Sequence, residues 1–343
     1  MRKLLNTLYI NTPDAYLSLD GENIVVLKGE EKLLRLPLHN LESIVTFGYT
    51  GASPAFMGKC AKDGIALSFC NAYGRFLASV TGETQGNVVL RRTQYRAADN
   101  DRQSLDIARN ILIGKLHNSR WVLERATRDH AERLDVQGIK QVGRQIAGLT
   151  QDLQEADTYE TLLGIEGNAA SRYFSVFDEL ILQAKDAFFF RERSRRPPLD
   201  NVNALLSFIY TMMAHDYAAA LTAVGLDPFV GFLHKDRPGR RSLALDLMEE
   251  LRAPLADRFV LTLINTRQIS AGDFEQRENG AVFLHDNARK TVLQAWQKRK
   301  QLEIEHPFLK EKIEWGLVPH AQALLLARYF RGDLDAYPPF LWK

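Results

Sequence analysis

Near Asp101 the spacing of apolar residues in this 343-residue chain changes from two to between three and four, and a chain with that break folds as two differently built parts. Before it, Tyr16-Leu17-Ser18-Leu19 and Ile24-Val25-Val26-Leu27 flank Asp20-Gly21, the pattern of a β-hairpin and its turn. Residues 33–38, 43–47, 66–70, 76–80 and 88–92 read as further short strands, with one helical piece at 55–62. After the break, residues 105–130 and 136–155 carry apolar positions three and four apart with charges between them, as amphipathic helices do. A polar, Pro-bearing loop at 191–201 precedes a helix over 202–223; another helix runs over 242–265, and a short extended excursion falls at 272–284. Asp286 is placed to cap the helix that carries Trp296, and the tail from Asp335, with Pro338-Pro339, is expected to be irregular. The expected fold is α+β: a small N-terminal β-rich, β-sandwich-like domain over 1–96, then a larger all-α domain over 97–343.

Hydrophobic residues make up 45% and charged residues 25%, enough for each part to bury a core. No apolar run reaches the ~18 residues that cross a bilayer. Met1-Arg2-Lys3-Leu4-Leu5-Asn6-Thr7 has neither a sustained apolar stretch nor a small-residue cleavage site, so the expectation is a cytoplasmic protein with no membrane segment. Cys60 and Cys70 cannot make a disulfide framework and read as small core residues in a reducing compartment. Gly164-x-x-Gly167 is too short for a nucleotide-phosphate loop and follows helix, which argues against nucleotide hydrolysis.

The chemistry is concentrated in four segments: Gly164-Ile165-Glu166-Gly167, Gly231-Phe232-Leu233-His234, Arg237-Pro238-Gly239-Arg240 and Leu243-Ala244-Leu245-Asp246-Leu247-Met248-Glu249-Glu250. Carboxylates with one imidazole suit Mg2+ or Mn2+ better than a thiolate-preferring metal. Helical spacing puts Asp246 on one side with either Glu249 or Glu250, and spacing alone does not choose between them. His234 lies just before a Pro-Gly turn, and Glu166 has to arrive from a different helix. Taken singly, each has a structural reading: a salt bridge for Glu166, a hydrogen-bonded imidazole for His234, a solvated face for Asp246-x-x-Glu249. The leucines around Asp246 and Glu249 leave little of that helix free to face water.

The net charge of +2 is too small to identify a nucleic-acid binder, so the distribution has to carry that argument. Arg91, Arg92 and Arg96; Arg191, Arg193, Arg195 and Arg196; Lys235, Arg237, Arg240 and Arg241; and Lys298, Arg299 and Lys300 form basic clusters that can follow a phosphate backbone.

The ordered set Gly-Ile-Glu-Gly, Gly-Phe-Leu-His, Arg-Pro-Gly-Arg and Leu-Ala-Leu-Asp-Leu-Met-Glu-Glu resembles the CRISPR-associated integrase family Cas1, closest in form to its type I-C members. A further match at Arg195-Arg196-Pro197-Pro198, Asp200, Asn203 and Tyr210 extends the resemblance over essentially the whole chain. It implies a β-rich N-terminal domain that mediates a homodimer and a helical domain with the active site. Glu166, His234 and Glu249 match the metal-ligand positions, Asp246 an additional acidic residue, and the motif favours Glu249 over Glu250, although the family often has Asp there. Arg237, Arg240, Arg241, Lys235, Arg195 and Arg196 are candidate phosphate contacts, and Tyr210, Asn203 and Glu250 candidates to support the metal from behind. The implied activity is joining of 3'-hydroxyl ends of short DNA duplexes to a CRISPR array by transesterification, with metal-dependent cutting of branched DNA and a small partner, Cas2. A stand-alone structure-selective repair nuclease would use the same residues, and a non-catalytic DNA-binding scaffold would need only the basic clusters.

Overall fold

A computed structural model describes residues 7–41, 43–71, 76–80, 82 and 88–343. In chain order the first elements are β1 (Thr7–Ile10), β2 (Tyr16–Asp20), β3 (Asn23–Lys28), β4 (Glu31–Pro37), β5 (Ser43–Phe47), β6 (Gly51–Ala52), α1 (Pro54–Asp63), β7 (Ala66–Cys70) and β8 (Phe76–Val80). Helices follow: α2 (Val88–Asp99), α3 (Asp101–Asp129), α4 (Val136–Glu155), α5 (Tyr159–Ser175), α6 (Asn201–Val224), α7 (Ser242–Leu251) and α8 (Arg258–Asn265). The small hairpin β9 (Phe274–Gln276) and β10 (Val282–Leu284), then α9 (Asp286–Lys300), the pair β11 (Glu303–Glu305) and β12 (Lys312–Glu314), and α10 (Val318–Phe330) complete the chain. The fold is α+β, with the strands of the first part followed by a mainly helical remainder.

Two compact units result: residues 1–86 with 286–302, and residues 87–285 with 303–343. In the first, two four-stranded sheets, ordered β1-β5-β7-β8 and β4-β3-β2-β6, share one core. Leu17, Ile24 and Val26 from one sheet and Ile44 and Leu67 from the other meet Phe56 and Cys60 of α1, so both cysteines are buried thiols, as their role as core residues requires. The β2–β3 turn is Gly21-Glu22, with Asp20 paired to Asn23 as the last rung; Gly21 takes φ +60°, which a glycine adopts without strain. Asp286 opens α9 as its first helical residue and pairs with Arg289 one turn on.

One expectation fails in this region. Residues 88–92, read as a strand, begin helix α2. Val88-Val89 is exposed, whereas Leu90, Gln94 and Ala97 are buried at spacings of four and three, and Gln94 fixes the helix by donating to the carbonyls of Asp227 and Val230 at 2.8 and 2.9 Å.

In the second unit, α3 is 29 residues long and packs against α4, α5 and α7. Asp200 caps α6 by accepting from the Asn203 N–H at 2.7 Å. The expected helix over 242–265 is present as α7 and α8 joined by a π-helical stretch, Arg252–Asp257. Pro254 lies in that stretch and has no N–H to donate to an α-helical ladder, so the wider turn takes up the discontinuity there. The tail beyond Asp335 has no regular structure but is held in the core: Asn118 donates to the carbonyls of Glu250 and Phe340 at 2.7 Å and accepts from the Trp342 N–H at 2.8 Å.

Candidate active site

Helices α3, α5 and α7 bring three charged side chains together. Lys115 of α3 contacts Glu166 of α5 and lies 2.9 Å from Glu249 of α7, whose other oxygen is 3.0 Å from Arg252. Burial alone drives the Glu249 carboxyl up; Arg252, Lys115 and His234 together outweigh that and hold it at about 2, so it is ionised. Glu249 Oε2 is buried and faces the Lys115 ammonium.

His234 is placed by Asp246 rather than beside it as an equal. Asp246 is fully buried and accepts the backbone N–H groups of Phe232 (2.6 Å), Leu233 (3.0 Å) and His234 (2.9 Å). The same carboxylate lies 2.7 Å from His234 Nδ1, which therefore carries the proton it donates and leaves Nε2 as the ring nitrogen with a lone pair. Gly231 makes this approach possible: a Cβ there would stand 2.7 Å from Asp246 Oδ2 and 2.8 Å from Ser242 Cβ. Tyr159, at the start of the helix that carries Glu166, donates to the Leu233 carbonyl and braces the same loop.

Glu250 points the other way. Its Oε2 accepts from Gln322 at 2.8 Å and from the Tyr337 hydroxyl at 3.1 Å, and burial lifts its carboxyl to about 8 against those bonds. Adjacent residues on α7 thus separate: Glu249 faces Lys115 and Glu166, while Glu250 supports the C-terminal tail.

Glu166, Glu249 and Lys115 line a cavity of about 40 Å³ with Arg193, Arg195, Tyr210, Arg252 and Asp257. That volume admits an ion with a water or two but no nucleobase. Tyr210 stands between two guanidinium groups, Arg252 at 4.9 Å and Arg193 at 5.4 Å from its ring centre, and donates to Asp257 at 2.6 Å. Burial raises the Asp257 carboxyl to about 6, opposed by the hydrogen bonds from Tyr210 and Tyr173. Asn203 does not reach the cavity; its Oδ1 accepts from Arg193 at 2.6 Å and its amide donates to the Glu192 carbonyl at 2.8 Å, fixing the loop that presents Arg193.

Among the expected phosphate contacts, Lys235, Arg237, Arg195 and Arg196 are exposed. Arg240 is partly used by the loop itself, donating to the Lys235 carbonyl, and Arg241 is half-buried beside His215. Lys115, Arg252 and Asp257 were not singled out from sequence. Arg252 follows Glu249 by three residues, a spacing that could have flagged it, and Lys115 is a lone cation within the apolar run Ile111 to Leu116.

Among the described residues no three His, Cys, Asp or Glu side chains converge closely enough to enclose a metal ion. The donor chemistry nevertheless suits one: Glu166 and Glu249 are gathered on a single positive charge at one cavity, while His234, outside that cavity's lining, is an imidazole oriented by a carboxylate behind it. Carboxylates, an imidazole and arginines gathered in one helical unit are the side-chain types used by enzymes that act on phosphodiesters. The family model described as CRISPR associated protein Cas1 matches residues 8–298. The chain is 53% identical over 343 residues to CRISPR-associated endonuclease Cas1 1 of Chlorobaculum tepidum, covering 100% of both. Its fold is shared with a structure described as a casposase bound to integration product, at TM-score 0.84 and 22% identity over 98% of this chain and 93% of that one. It is shared also with a Cas6-RT-Cas1–Cas2 complex, at TM-score 0.83 and 24% identity over 100% of this chain and 36% of that one. This chain belongs to the Cas1 family.

Proposed function

We propose that the protein is a spacer-acquisition integrase, a metal-dependent DNA endonuclease that joins 3'-hydroxyl ends of short DNA duplexes to a CRISPR array by transesterification. The observation that supports it most directly is the meeting of Glu166 and Glu249 on one positive charge at the edge of an arginine-lined cavity. Glu166, His234 and Glu249 would hold Mg2+ or Mn2+, for which oxygen donors with one imidazole are suited. When bound, such an ion polarises the scissile phosphate and stabilises charge on the leaving oxygen.

The protein's own groups supply the rest. Asp246 keeps the His234 ring in the tautomer whose Nε2 can bind an ion. Arg252 and Arg193, held against Tyr210, line the same cavity and bring positive charge to a phosphate at its mouth. Lys235, Arg237, Arg195 and Arg196 are exposed to follow the DNA backbone, which positions the substrate without reading its sequence. The exchange needs no covalent enzyme intermediate, because the 3'-hydroxyl is itself the nucleophile.

In the same reading the β-rich N-terminal part, residues 1–96, mediates a homodimer and residues 97–343 are catalytic. The substrates are double-stranded and branched DNA, the partner is Cas2, and the protein works in the cytoplasm. No described helix is long and apolar enough to cross a membrane.

The test is a branched DNA mimicking a half-integrated end, incubated with Mg2+ or Mn2+ and wild-type protein or the Glu166→Ala, His234→Ala and Glu249→Ala variants. Metal-dependent strand joining or its reversal, lost in all three while DNA binding persists, is the expected result. DNA bound but unchanged with either metal, in the presence and absence of Cas2, would refute the enzyme.

A further inference from the structure

We infer that the Lys115 ammonium is a built-in counter-ion of this site, seated where the divalent ion has to go, and that it swings away from the two carboxylates when that ion binds. The inference rests on the metal-site reading above. Lys115 contacts both Glu166 and Glu249, and its side chain is 13% exposed. Against Glu249 the ammonium lies 2.9 Å from Oε2, so one charge is shared between carboxylates of two helices. The ammonium therefore occupies the pocket as an ion would.

The physical case has three steps. Two carboxylates aimed at one point in a poorly hydrated pocket repel each other unless a positive charge lies between them, so without a metal some other cation must keep them convergent. A divalent ion bound to both carboxylates and an ammonium in contact with the same oxygens cannot coexist, because like charges at contact distance are strongly unfavourable in such surroundings. Of the two it is the lysine that can leave: its charge is a point on a four-carbon stem with free torsions, whereas Arg252 on the other Glu249 oxygen is pinned against Tyr210.

The lysine is not sealed in. Its side chain is 13% exposed, so the ammonium released from the carboxylates can turn outward to where a phosphate would approach. Metal binding thus converts a charge spent inside the protein into one offered to DNA, and the metal-free site offers less to a phosphate than the loaded one.

The experiment is pulsed reductive methylation of the full-length wild-type protein with and without saturating Mn2+, read at Lys115 by peptide mass spectrometry, with exposed Lys140 of α4 as the internal reference. Labelling of Lys115 several-fold faster with Mn2+, at unchanged Lys140 labelling, is expected. Unchanged or slower labelling while calorimetry shows Mn2+ bound through Glu166 overturns the inference and leaves the metal reading standing. Mn2+ binding by neither the wild type nor Lys115→Met overturns both. Removal of the competing charge in Lys115→Met should tighten Mn2+ binding by about tenfold, within the range of ordinary coupling between sites; equal affinity counts against displacement.

Discussion

Asp246 Oδ1 lies 2.7 Å from His234 Nδ1 and 2.9 Å from the His234 backbone N–H, so one carboxylate sets both the ring and the loop that carries it. Asp246→Asn keeps the size and an acceptor for the loop but presents an amide N–H to Nδ1, which favours the tautomer with its proton on Nε2. Strand joining should fall by about 10–100-fold, the usual cost of losing a carboxylate behind a metal-binding histidine. Mn2+ affinity should fall with it while DNA binding holds. Full activity in the variant would mean that His234 does not act through Nε2.

Glu249 is paired with both Lys115 and Arg252, and its replacement should be felt twice. Glu249→Gln leaves Arg252 with no carboxylate at 3.0 Å and Lys115 with Glu166 alone. Breaking a buried pair by removing one partner costs about 3–5 kcal/mol, and the lower end is expected because Lys115 keeps Glu166. In a melting experiment Mn2+ should raise the wild-type midpoint and leave that of the variant unmoved, since an ion that binds the native state stabilises it by mass action. A midpoint that still rises with Mn2+ in Glu249→Gln would remove Glu249 from the ligand set.

The long helices were legible because their periodicity runs for many turns: α4 spans Val136–Glu155, and α6 differs from the expected range by one residue at each end. Residues 88–92 are ambiguous in sequence because three apolar residues in a row fit a strand as well as a helix, and it is the burial of Gln94 and Ala97 further on that decides. That α9 belongs to the β-rich unit, more than two hundred residues after its other elements, is a tertiary fact with no local signature. In the site, carboxylates and an imidazole announce themselves by type, but the division of labour among them does not. Asp246, Glu249 and Glu250 sit within five residues on one helix, yet face a loop, a lysine and the C-terminal tail respectively. Lys115 was invisible for the opposite reason: one lysine in a helix reads as a solvated side chain until its neighbours in space are known.

Gly164 and Gly167 lie inside α5 on either side of Glu166, and a Cβ added at either would meet nothing within 4 Å. Glycine within a helix costs about 1 kcal/mol relative to alanine, and no packing in this chain requires it here. Gly164→Ala and Gly167→Ala should therefore each raise the melting midpoint by roughly 2–4 °C. If the bare backbone beside Glu166 is where DNA approaches, the same variants lose affinity for branched DNA in a filter-binding or anisotropy titration. Higher stability with unchanged affinity would take this face of α5 out of the DNA path.

Glu250 offers a pH signature separate from catalysis. Its carboxyl titrates near 4.5 in an unfolded chain and at about 8 when buried, so between those values the folded protein holds a proton that the unfolded chain has released. Stability linked to this group is therefore fully present below pH 4.5, declines as pH rises, and is lost once pH passes about 8. Glu250→Gln cannot ionise and keeps an acceptor for Gln322 and Tyr337, so relative to the wild type it should gain stability steadily from pH 5 to pH 9, by on the order of several kcal/mol across the range. Because Glu250 faces the tail and not Lys115, strand joining at neutral pH should be nearly unchanged. Denaturant melts of both proteins across that range check the first expectation; a stability difference that does not vary with pH would mean that Glu250 is ionised in the fold, and that the bonds from Gln322 and Tyr337 outweigh its burial.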